Sequence, residues 1–538
     1  MAEGRSDAAA QRTLVHSLRA QLGAELIETH ISFVLLAAGS AYKIKKAVNL
    51  GFVDFGTLAS RRFFCNEELR LNRRTAPQLY QRVLPIGGSP TLPVLDGGGD
   101  AIEWALQMRA FDPAGLWDRL AARGALQAGH VDAVVEALLA LHGQAAVAPI
   151  DSDYGRPEQL RAPLSDNLSE LGRMCCSDEE QAALAALRDW EAGCFEALRP
   201  VFAARRAAGH VREVHGDLHL GNITQYEGRT LLFDCLEFDA ALRWTDVMSD
   251  VAFLAMDLQA HRLAPLAHRF VNDYVERSGD VQGLQVLRYY HVHRALVRAK
   301  VARLRAAQLD AGSAAAVQAT SEGLRYLRLA LRGSRPAVPA LMLTHGFSGS
   351  GKTALTQSLL EAGGAIRFRA DVERKRLFGL DPLARSDAAG QARLYSPQAG
   401  ELTQAQLRAH AALALEAGYS VILDATFLQR AQRDAARALA ARLGVRFAII
   451  DFQAPVDTLR RRLAERTRRG DDASDADLAV LESQLAHAQD LGDDERRDVF
   501  AFDAERPIDA EAMPARWAPL LSALGVVSQD VVPVEAQA

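Results

Sequence analysis

Residues 340–362 read ALMLTHGFSGSGKTALTQSLLEA, and this stretch decides the fold of the second half of the chain. Its middle matches the pattern GxxxxGK[ST], with an apolar strand-like run before it and helix-forming residues after it. Glycines let backbone N–H groups turn inward around phosphates, and the N-terminus of the following helix favours anions. The pattern predicts a nucleoside triphosphate site with these nucleotide-binding residues: Gly346, Ser348, Gly349, Ser350, Gly351, Lys352 and Thr353.

ATP and Mg²⁺ are the cofactors that such a loop predicts. We expect Lys352 to reach the β- and γ-phosphates and the Thr353 hydroxyl to bind Mg²⁺. An acidic metal ligand should end a neighbouring strand, and the run SVILD at 420–424 ends in Asp424. Asp424 is therefore the predicted second metal ligand of this half.

The apolar runs of this half predict a parallel α/β sheet, the P-loop NTPase fold. The runs alternate with helical stretches and lie at 341–345, 365–369, 420–424 and 446–451. The tail from about 504 is expected to add a last helix with a frayed end.

Asp371 is a candidate catalytic residue on the acceptor side. It follows the predicted strand in AIRFRADVERKR, residues 365–376, and is placed to take the proton of a substrate hydroxyl. The neighbouring Arg374, Lys375 and Arg376 suit a phosphate or an acidic group. The alternative is that Asp371 only caps the start of a solvated helix.

Two arginines of a basic segment are candidates for a lid. Arg462 and Arg466 lie four residues apart in DTLRRRLAERTRR, residues 457–469, and so share one helical face. From there they would fold over the triphosphate. A solvated, charged helix is the alternative.

Together these residues resemble the P-loop small-molecule kinases of the zeta-toxin and gluconate-kinase type. In that family the loop lysine, the Asp that follows the second strand and the lid arginines are functional. The segment DATFLQRAQR is similar to the family's D-x-T-x-x-x-x-x-x-R pattern at Asp424, Thr426 and Arg433. The resemblance implies phosphorylation of a hydroxyl and does not name the substrate.

The first half carries a second phosphoryl-transfer signature, HGDLHLGN at 215–222 followed by FDCLEF at 233–238. Asp217 would orient the accepting hydroxyl and take its proton, while Asn222 and Asp234 would bind Mg²⁺. His215 is expected to fix the loop through hydrogen bonds rather than to catalyse.

This unit resembles the aminoglycoside phosphotransferase and choline-kinase-like group, relatives of the protein kinases. The resemblance implies an α+β kinase-like fold with a small β lobe and a helical lobe. It also implies that Asp250 fixes the catalytic loop and that Lys43 is the nucleotide-binding lysine, with Lys45 as the runner-up. The lysine's helix partner would be Glu67 or Glu68, and Glu68 is the one we carry forward.

The small lobe departs from that family in one respect, because only THISFVLLAAGS, residues 29–40, stands where a glycine-rich loop is expected. The tandem order, with segments such as AYKIKKAVNLGFVDFGTL and EELRLNRR, is similar to bacterial proteins described as bifunctional aminoglycoside phosphotransferase/ATP-binding proteins.

The sequence predicts two domains joined by a proline-rich link. GSRPAVPA at 333–340 follows a long helical stretch at about 284–332 and precedes the strand of the phosphate loop. The predicted domains are 1–332, with a small lobe to about 110 and a large lobe from about 111, and 341–538.

Composition restricts the partners. The net charge of −5 argues against a nucleic-acid partner. No run approaches the roughly 20 apolar residues of a membrane helix, and the N-terminus lacks the apolar core of a secretory signal. The five cysteines form no CxxC pair, which is typical of reduced thiols in the cytoplasm. A small-molecule hydroxyl substrate is the expected partner, and the oligomeric state is left open.

Three functional hypotheses follow. In the first, one or both halves transfer the γ-phosphoryl group of ATP to small-molecule hydroxyls. In the second, the first half is a non-catalytic, ligand-binding kinase fold that gates the second. In the third, the second half is an energy-coupled switch or polynucleotide-end kinase, and the acidic net charge counts against it.

Overall fold

The computed structural model describes residues 8–49, 53–175, 177–336, 338–381, 384, 390, 393–469, 476–506, 509 and 512–526. The chain forms two compact units. The front unit comprises Met1–Asp257 and His293–Leu327, and the rear unit comprises Leu258–Val292 and Arg328–Ala538. The contacts therefore group 258–292 with the rear unit, whereas the sequence pattern predicted that this segment belongs to the first domain. Part of the predicted link, Ala337, and the predicted frayed tail from 527 lie outside the described residues.

The small lobe of the front unit is a six-stranded antiparallel sheet in the order β1-β2-β3-β6-β4-β5. Its strands are β1 Glu25–Glu28, β2 Ser32–Ala37, β3 Ser40–Lys45, β4 Tyr80–Ser89, β5 Leu92–Leu95 and β6 Glu103–Arg109. Alternating apolar residues of β2 and β3 pack against the first helix around Leu14 and Leu18. The opposite face of β3 is therefore turned toward the second helix, and the lysines of β3 lie on that face.

The front unit continues with helices and two short ribbons. The ribbons pair β7 Val211–Glu213 with β10 Trp244–Asp246, and β8 Ile223–Tyr226 with β9 Arg229–Leu232. The α-helices between residues 8 and 260 are α1 Ala8–Leu22, α2 Leu58–Asn72, α3 Trp117–Ala122, α4 Ala128–Gln144, α5 Pro157–Met174, α6 Asp178–Ala207, α7 Ala240–Arg243 and α8 Met248–Ala260. The predicted small β lobe and helical lobe are confirmed.

The rear unit contains a five-stranded parallel sheet in the order β12-β13-β11-β14-β15. Its strands are β11 Ala340–His345, β12 Ile366–Arg369, β13 Val421–Asp424, β14 Arg446–Gln453 and β15 Val499–Asp503. The four predicted strands are present and the P-loop NTPase fold is confirmed. Because β11 is central, the loop that follows it opens beside the carboxyl ends of β13 and β14.

Helices surround this sheet. They are α9 Ala264–Ser278, α12 Lys352–Gly363, α13 Ala370–Leu377, α14 Pro397–Glu416, α15 Arg430–Leu443, α16 Val456–Arg469, α17 Leu478–His487 and α18 Met513–Ala523. The predicted last helix is α18, and its Trp517 is buried in the core beside Phe452 and Phe502.

The long predicted helix at 284–332 is two helices, α10 Leu284–Gln308 and α11 Ala314–Ser334. Gly312, with a φ of 78°, lies in the break, where the left-handed conformation ends helical geometry. Among the described helices, none is long and apolar enough to cross a membrane.

Candidate functional site

The phosphate loop of the rear unit lies between β11 and α12. Gly346, Gly349 and Gly351 have φ values of 133°, 85° and 83°, which side chains disfavour. A Cβ on Gly346 would lie 2.8 Å from the Phe452 carbonyl oxygen, and one on Gly349 would lie 2.9 Å from that of Leu459. The loop therefore requires glycine for conformation and for space at Gly346 and Gly349, and for conformation at Gly351.

Lys352 is buried and turned back onto its own loop. Its Nζ donates to the carbonyl oxygens of Gly346 at 2.9 Å and Phe347 at 2.8 Å, with Ser350 Oγ at 3.3 Å. Burial lowers the pKa of Lys352 to about 8, although Asp424 and Asp371 oppose the shift. The ammonium thus lies within the loop with neutral acceptors as its hydrogen-bond partners there.

Thr353 and Asp424 meet where a magnesium ligand pair is expected. Thr353 Oγ1 donates to Asp424 Oδ2 at 2.7 Å, and Asp424 is the buried last residue of β13. A hydroxyl and a carboxylate are hard oxygen ligands of the kind that Mg²⁺ takes together with substrate phosphates. The residues present therefore fit this ion.

A cleft of about 520 Å³ opens around the phosphate loop. Asp371, Arg374, Arg462 and Arg466 line it together with the loop residues. Arg374 Nη1 donates to Asp371 Oδ1 at 2.6 Å, and its guanidinium lies 4.6 Å from the centre of the Tyr395 ring. The cleft thus brings an oriented carboxylate and several cations to the same space as the phosphate loop.

The two predicted lid arginines lie on α16 and each bonds a backbone carbonyl. Arg462 Nη2 donates to Ala504 O at 2.8 Å, and Arg466 Nη2 donates to Ala476 O at 2.5 Å. Both line the cleft, so their placement is compatible with a role at the triphosphate.

Arg433, which matches the family pattern, is held in a buried ion pair. Its guanidinium is buried and donates to the carboxylate of Glu495 at 2.8 and 2.9 Å. Thr426 of the same pattern lines the cleft. Sequence reasoning did not find Gln484 of α17, whose Oε1 accepts the N–H of Ser348 at 2.9 Å.

The front unit gathers the predicted lysine and its partners. Lys43 Nζ lies 2.7 Å from Glu68 Oε1 and 2.7 Å from Asp234 Oδ1. Although burial opposes the charge, the carboxylates of Asp234 and Glu68 raise the pKa of Lys43 well above its usual value. Glu67 instead pairs with Arg70 and Arg243, at 2.8 and 3.2 Å.

Lys45, the runner-up, is the deeper of the two lysines. Its Nζ lies 2.7 Å from Glu68 Oε2 and also pairs with Glu237. Burial disfavours the Glu68 carboxylate, but Lys43 and Lys45 outweigh it and lower the pKa of Glu68 to about 2. Glu68 is therefore shared by both lysines, and Lys43 is the one that reaches Asp234.

The catalytic-loop residues of the front unit lie together. Asn222 Nδ2 donates to Asp217 O at 2.9 Å and to Asp217 Oδ2 at 3.0 Å. Phe233 N donates to Asn222 O at 3.0 Å, so Asn222 lies beside the strand end that carries Asp234. Burial opposes ionisation of Asp217, yet His219 and Arg298 lower the pKa of this carboxyl well below its usual value.

Buried carboxylates hold this loop. Asp250 accepts the N–H groups of His215 at 2.8 Å and Gly216 at 2.9 Å. A further carboxylate that sequence reasoning missed, Asp257, accepts the N–H of Leu220 at 2.9 Å and the hydroxyl of Tyr326 at 2.6 Å. Asp257 follows Asp250 by seven residues, so both lie on one face of α8.

The turn between β2 and β3 is short, as the sequence indicated. Ala38 and Gly39, with φ values of 48° and 76°, are the two residues that join the strands. Among the described residues, no group of three or more His, Cys, Asp or Glu side chains is arranged to hold a metal ion. Each predicted magnesium set here has two protein groups, either Asn222 with Asp234 or Thr353 with Asp424.

A family model described as an AAA domain matches residues 341–491. Among solved structures, a sugar kinase from Janibacter sp. HTCC2649 is 19% identical and covers 37% of this chain and 100% of its own (TM-score 0.26). A choline/ethanolamine kinase family protein from Mesorhizobium loti is 16% identical and covers 60% and 99% (TM-score 0.37). The amicoumacin kinase hAmiN is 11% identical and covers 60% and 94% (TM-score 0.40).

Curated relatives match most of the chain. The uncharacterized proteins Rv2004c of Mycobacterium tuberculosis and Mb2027c of Mycobacterium bovis are each 30% identical over 461 residues. The match covers 85% of this chain and 89% of each relative, so it spans both units. The chain belongs to the same family as these two mycobacterial proteins.

Proposed function

We propose that this protein is a tandem ATP-dependent phosphotransferase that phosphorylates hydroxyl groups of small molecules. One observation carries the proposal. Thr353 Oγ1 and Asp424 Oδ2 lie 2.7 Å apart beside a glycine loop, in a cleft that also holds Asp371. Phosphoryl transfer needs little covalent chemistry from the protein, so positioning and charge stabilisation are what such a cleft has to supply.

In the rear unit, bound Mg²⁺ would supply charge neutralisation at the phosphates. Lys352 exchanges the carbonyls of its own loop for phosphate oxygens, and Arg462 and Arg466 lie in the same cleft to balance further negative charge. Asp371 takes the proton of the acceptor hydroxyl. Arg374 holds that carboxylate in place through the bond at 2.6 Å.

In the front unit, Asp217 is the proposed base. Its lowered pKa keeps it ionised near neutral pH, and Asn222 orients the carboxylate. Glu68 holds Lys43 for the phosphates, since it bonds Lys43 at 2.7 Å. Asp234 and Asn222 would supply oxygen ligands for Mg²⁺.

The test uses the full chain, because 258–292 groups with the rear unit. ATP consumption is measured with panels of sugars, nucleosides and aminoglycosides for the wild type, Asp217→Asn and Lys352→Ala. We expect each variant to lose the activity of its own unit and to keep that of the other. Loss of both activities in either variant, or unchanged nucleotide binding by the rear unit after Lys352→Ala, would contradict the assignment.

A second candidate function is favoured by the short turns of the small lobe, which join β1 to β2 through residues 29–31 and β2 to β3 through Ala38 and Gly39. Protein kinases cover the phosphates with a glycine-rich loop, and neither turn has that composition. In this alternative the front unit binds a ligand without turnover and gates the rear unit. Binding of Mg·ATP to the Lys352→Ala chain without any acceptor-dependent turnover would support gating, whereas turnover would exclude it.

A further inference from the structure

Helix α9 lies outside the residues matched by the AAA domain model, yet it packs against α12 and β12 of the rear unit. His268 Nδ1 donates to Glu361 O at 2.7 Å, and Arg269 Nη1 lies 2.9 Å from Glu361 Oε1. A Cβ on Gly364 would lie 3.0 Å from the His268 ring, so the two helices approach closely. Helix α9 is thus an integral layer of the nucleotide-binding unit.

The same helix reaches the open edge of the sheet. β12 pairs with β13 on one side, where Ile366 N donates to Ser420 O at 2.8 Å. The next N–H, that of Arg367, points the other way and is accepted by Asn272 Oδ1 at 2.8 Å. Asn272 is completely buried, so this backbone donor has its acceptor from α9 rather than from water.

The side chain of Arg367 then braces the first turn of α12. Nη1 donates to Thr353 O at 2.6 Å and Thr356 Oγ1 at 3.1 Å, and Nη2 donates to Gln357 Oε1 at 2.9 Å. Thr353 is the residue whose hydroxyl contacts Asp424. A buried guanidinium with a fixed fork of donors therefore sets the position of the residue at the magnesium end of the phosphate loop.

We propose that Arg367, held by Asn272 of α9, is a positioning residue that places Thr353 for Mg²⁺. The proposal rests on the proposed function of the rear unit, and it extends that site to a helix which precedes the phosphate loop by about 70 residues. Arg367 acts through Thr353, so its loss should affect the metal-dependent part of nucleotide binding more than the metal-free part.

The test is titration calorimetry of ATP into the full chain carrying Asp234→Asn, which removes the front metal ligand. In Arg367→Met the Mg²⁺ concentration for half-maximal ATP binding should rise about tenfold, while ATP affinity in EDTA should change less than about twofold. Arg367→Lys keeps the charge but replaces the fork of donors by a single donor nitrogen, and it should recover part of the effect. Asn272→Leu should shift the Mg²⁺ requirement by about threefold.

The matched control is Arg442→Met in the same Asp234→Asn chain. Arg442 is an exposed arginine of α15 in the same unit, and its variant should match that parent chain. Equal loss of metal-free and metal-dependent binding in Arg367→Met would mean a purely structural role and would overturn the proposal, as would an unchanged Mg²⁺ requirement. If the parent chain bound no ATP, the proposed function would fail instead. In that case, amide hydrogen exchange at Thr353–Thr356 is compared between nucleotide-free Arg367→Met and its parent. Faster exchange in the variant would still support the contact of Arg367 with the first turn of α12, and equal exchange would overturn it.

Discussion

The two candidate phosphate sites of this chain are organised by different kinds of interaction. In the front unit, ion pairs between side chains, Lys43 and Lys45 with Glu68, organise the site around Asp234. In the rear unit, backbone geometry does so, through Gly346 and Gly349, where a Cβ would lie 2.8 and 2.9 Å from a carbonyl oxygen. Among substitutions, the ion pairs of the front site should therefore respond mainly to the loss of a charge, and the glycines of the rear loop mainly to added volume.

The largest expected effect is on the charge network of the front unit. Lys45→Met leaves Glu237 and the Oε2 oxygen of Glu68 buried without their cation. Breaking a buried pair in this way costs about 3–5 kcal/mol of unfolding free energy. Urea denaturation followed by circular dichroism measures it. The double variant Lys45→Met with Glu237→Leu should recover at least half of the loss, and no recovery would show that the charge pair is not the cause.

The second-largest expected effect comes from added side-chain volume and differs between the two units. Gly349→Ala puts a Cβ against Leu459 O in a left-handed residue, so Mg·ATP affinity of the rear unit should fall by about 10- to 100-fold. Gly39→Ala is the matched change in the front turn, where a Cβ meets nothing within 4 Å. It should cost about 1 kcal/mol in stability and leave Mg·ATP affinity within about twofold. Equal effects of the two changes would remove the contrast.

A third expected effect concerns pH. The pKa of Lys352 is lowered to about 8 by burial, so its ammonium is lost as pH rises through 8, and bound phosphate must then restore the proton. Mg·ATP affinity of the rear unit should therefore fall by up to about tenfold per pH unit above 8. The pKa of Lys43 is raised, so front-unit affinity should stay level over the same range. Calorimetry at pH 7–9.5 on Asp234→Asn and Lys352→Ala chains gives the two curves, and parallel curves would refute the difference.

The smallest expected effect tests how the front loop is anchored. Tyr326→Phe removes the hydroxyl that donates to Asp257, whereas Asp257 keeps its bond from Leu220 N–H. Amide exchange of Leu220 should accelerate about 10-fold, because its acceptor is less well held. Exchange at Ser350 in the rear loop serves as the internal control and should not change.

Local patterns were enough to predict the parts of the molecule that short sequences determine. The glycine loop and its flanks predicted β11 and α12, and four apolar runs predicted four of the five strands in the rear sheet. β15 was not predicted, because VFAFD is brief and follows the charged run DDERRD. β4 was also not predicted, since its proline and paired glycines are typical of turns rather than strands.

Contacts between distant elements were the parts that patterns did not predict. Glu67 and Glu68 are adjacent on α2, and only the docking of that helix selects Glu68 for the lysines. Gln484 and Asp257 lie in unremarkable helical sequence and acquire their partners through tertiary packing. The roles assigned to the site residues remain predictions that the variants above test.

Asn272 accepts a backbone N–H on the outer side of β12, and this has a consequence for shortened chains. A fragment starting at 341, where the match to the AAA domain begins, would leave the outer hydrogen-bonding side of this strand bare. Bare strand edges recruit other strands, and a second copy of the fragment is the nearest source. Self-association of such a fragment, relieved when the chain is extended back to 258, would be the sign that the rear unit begins well before its phosphate loop.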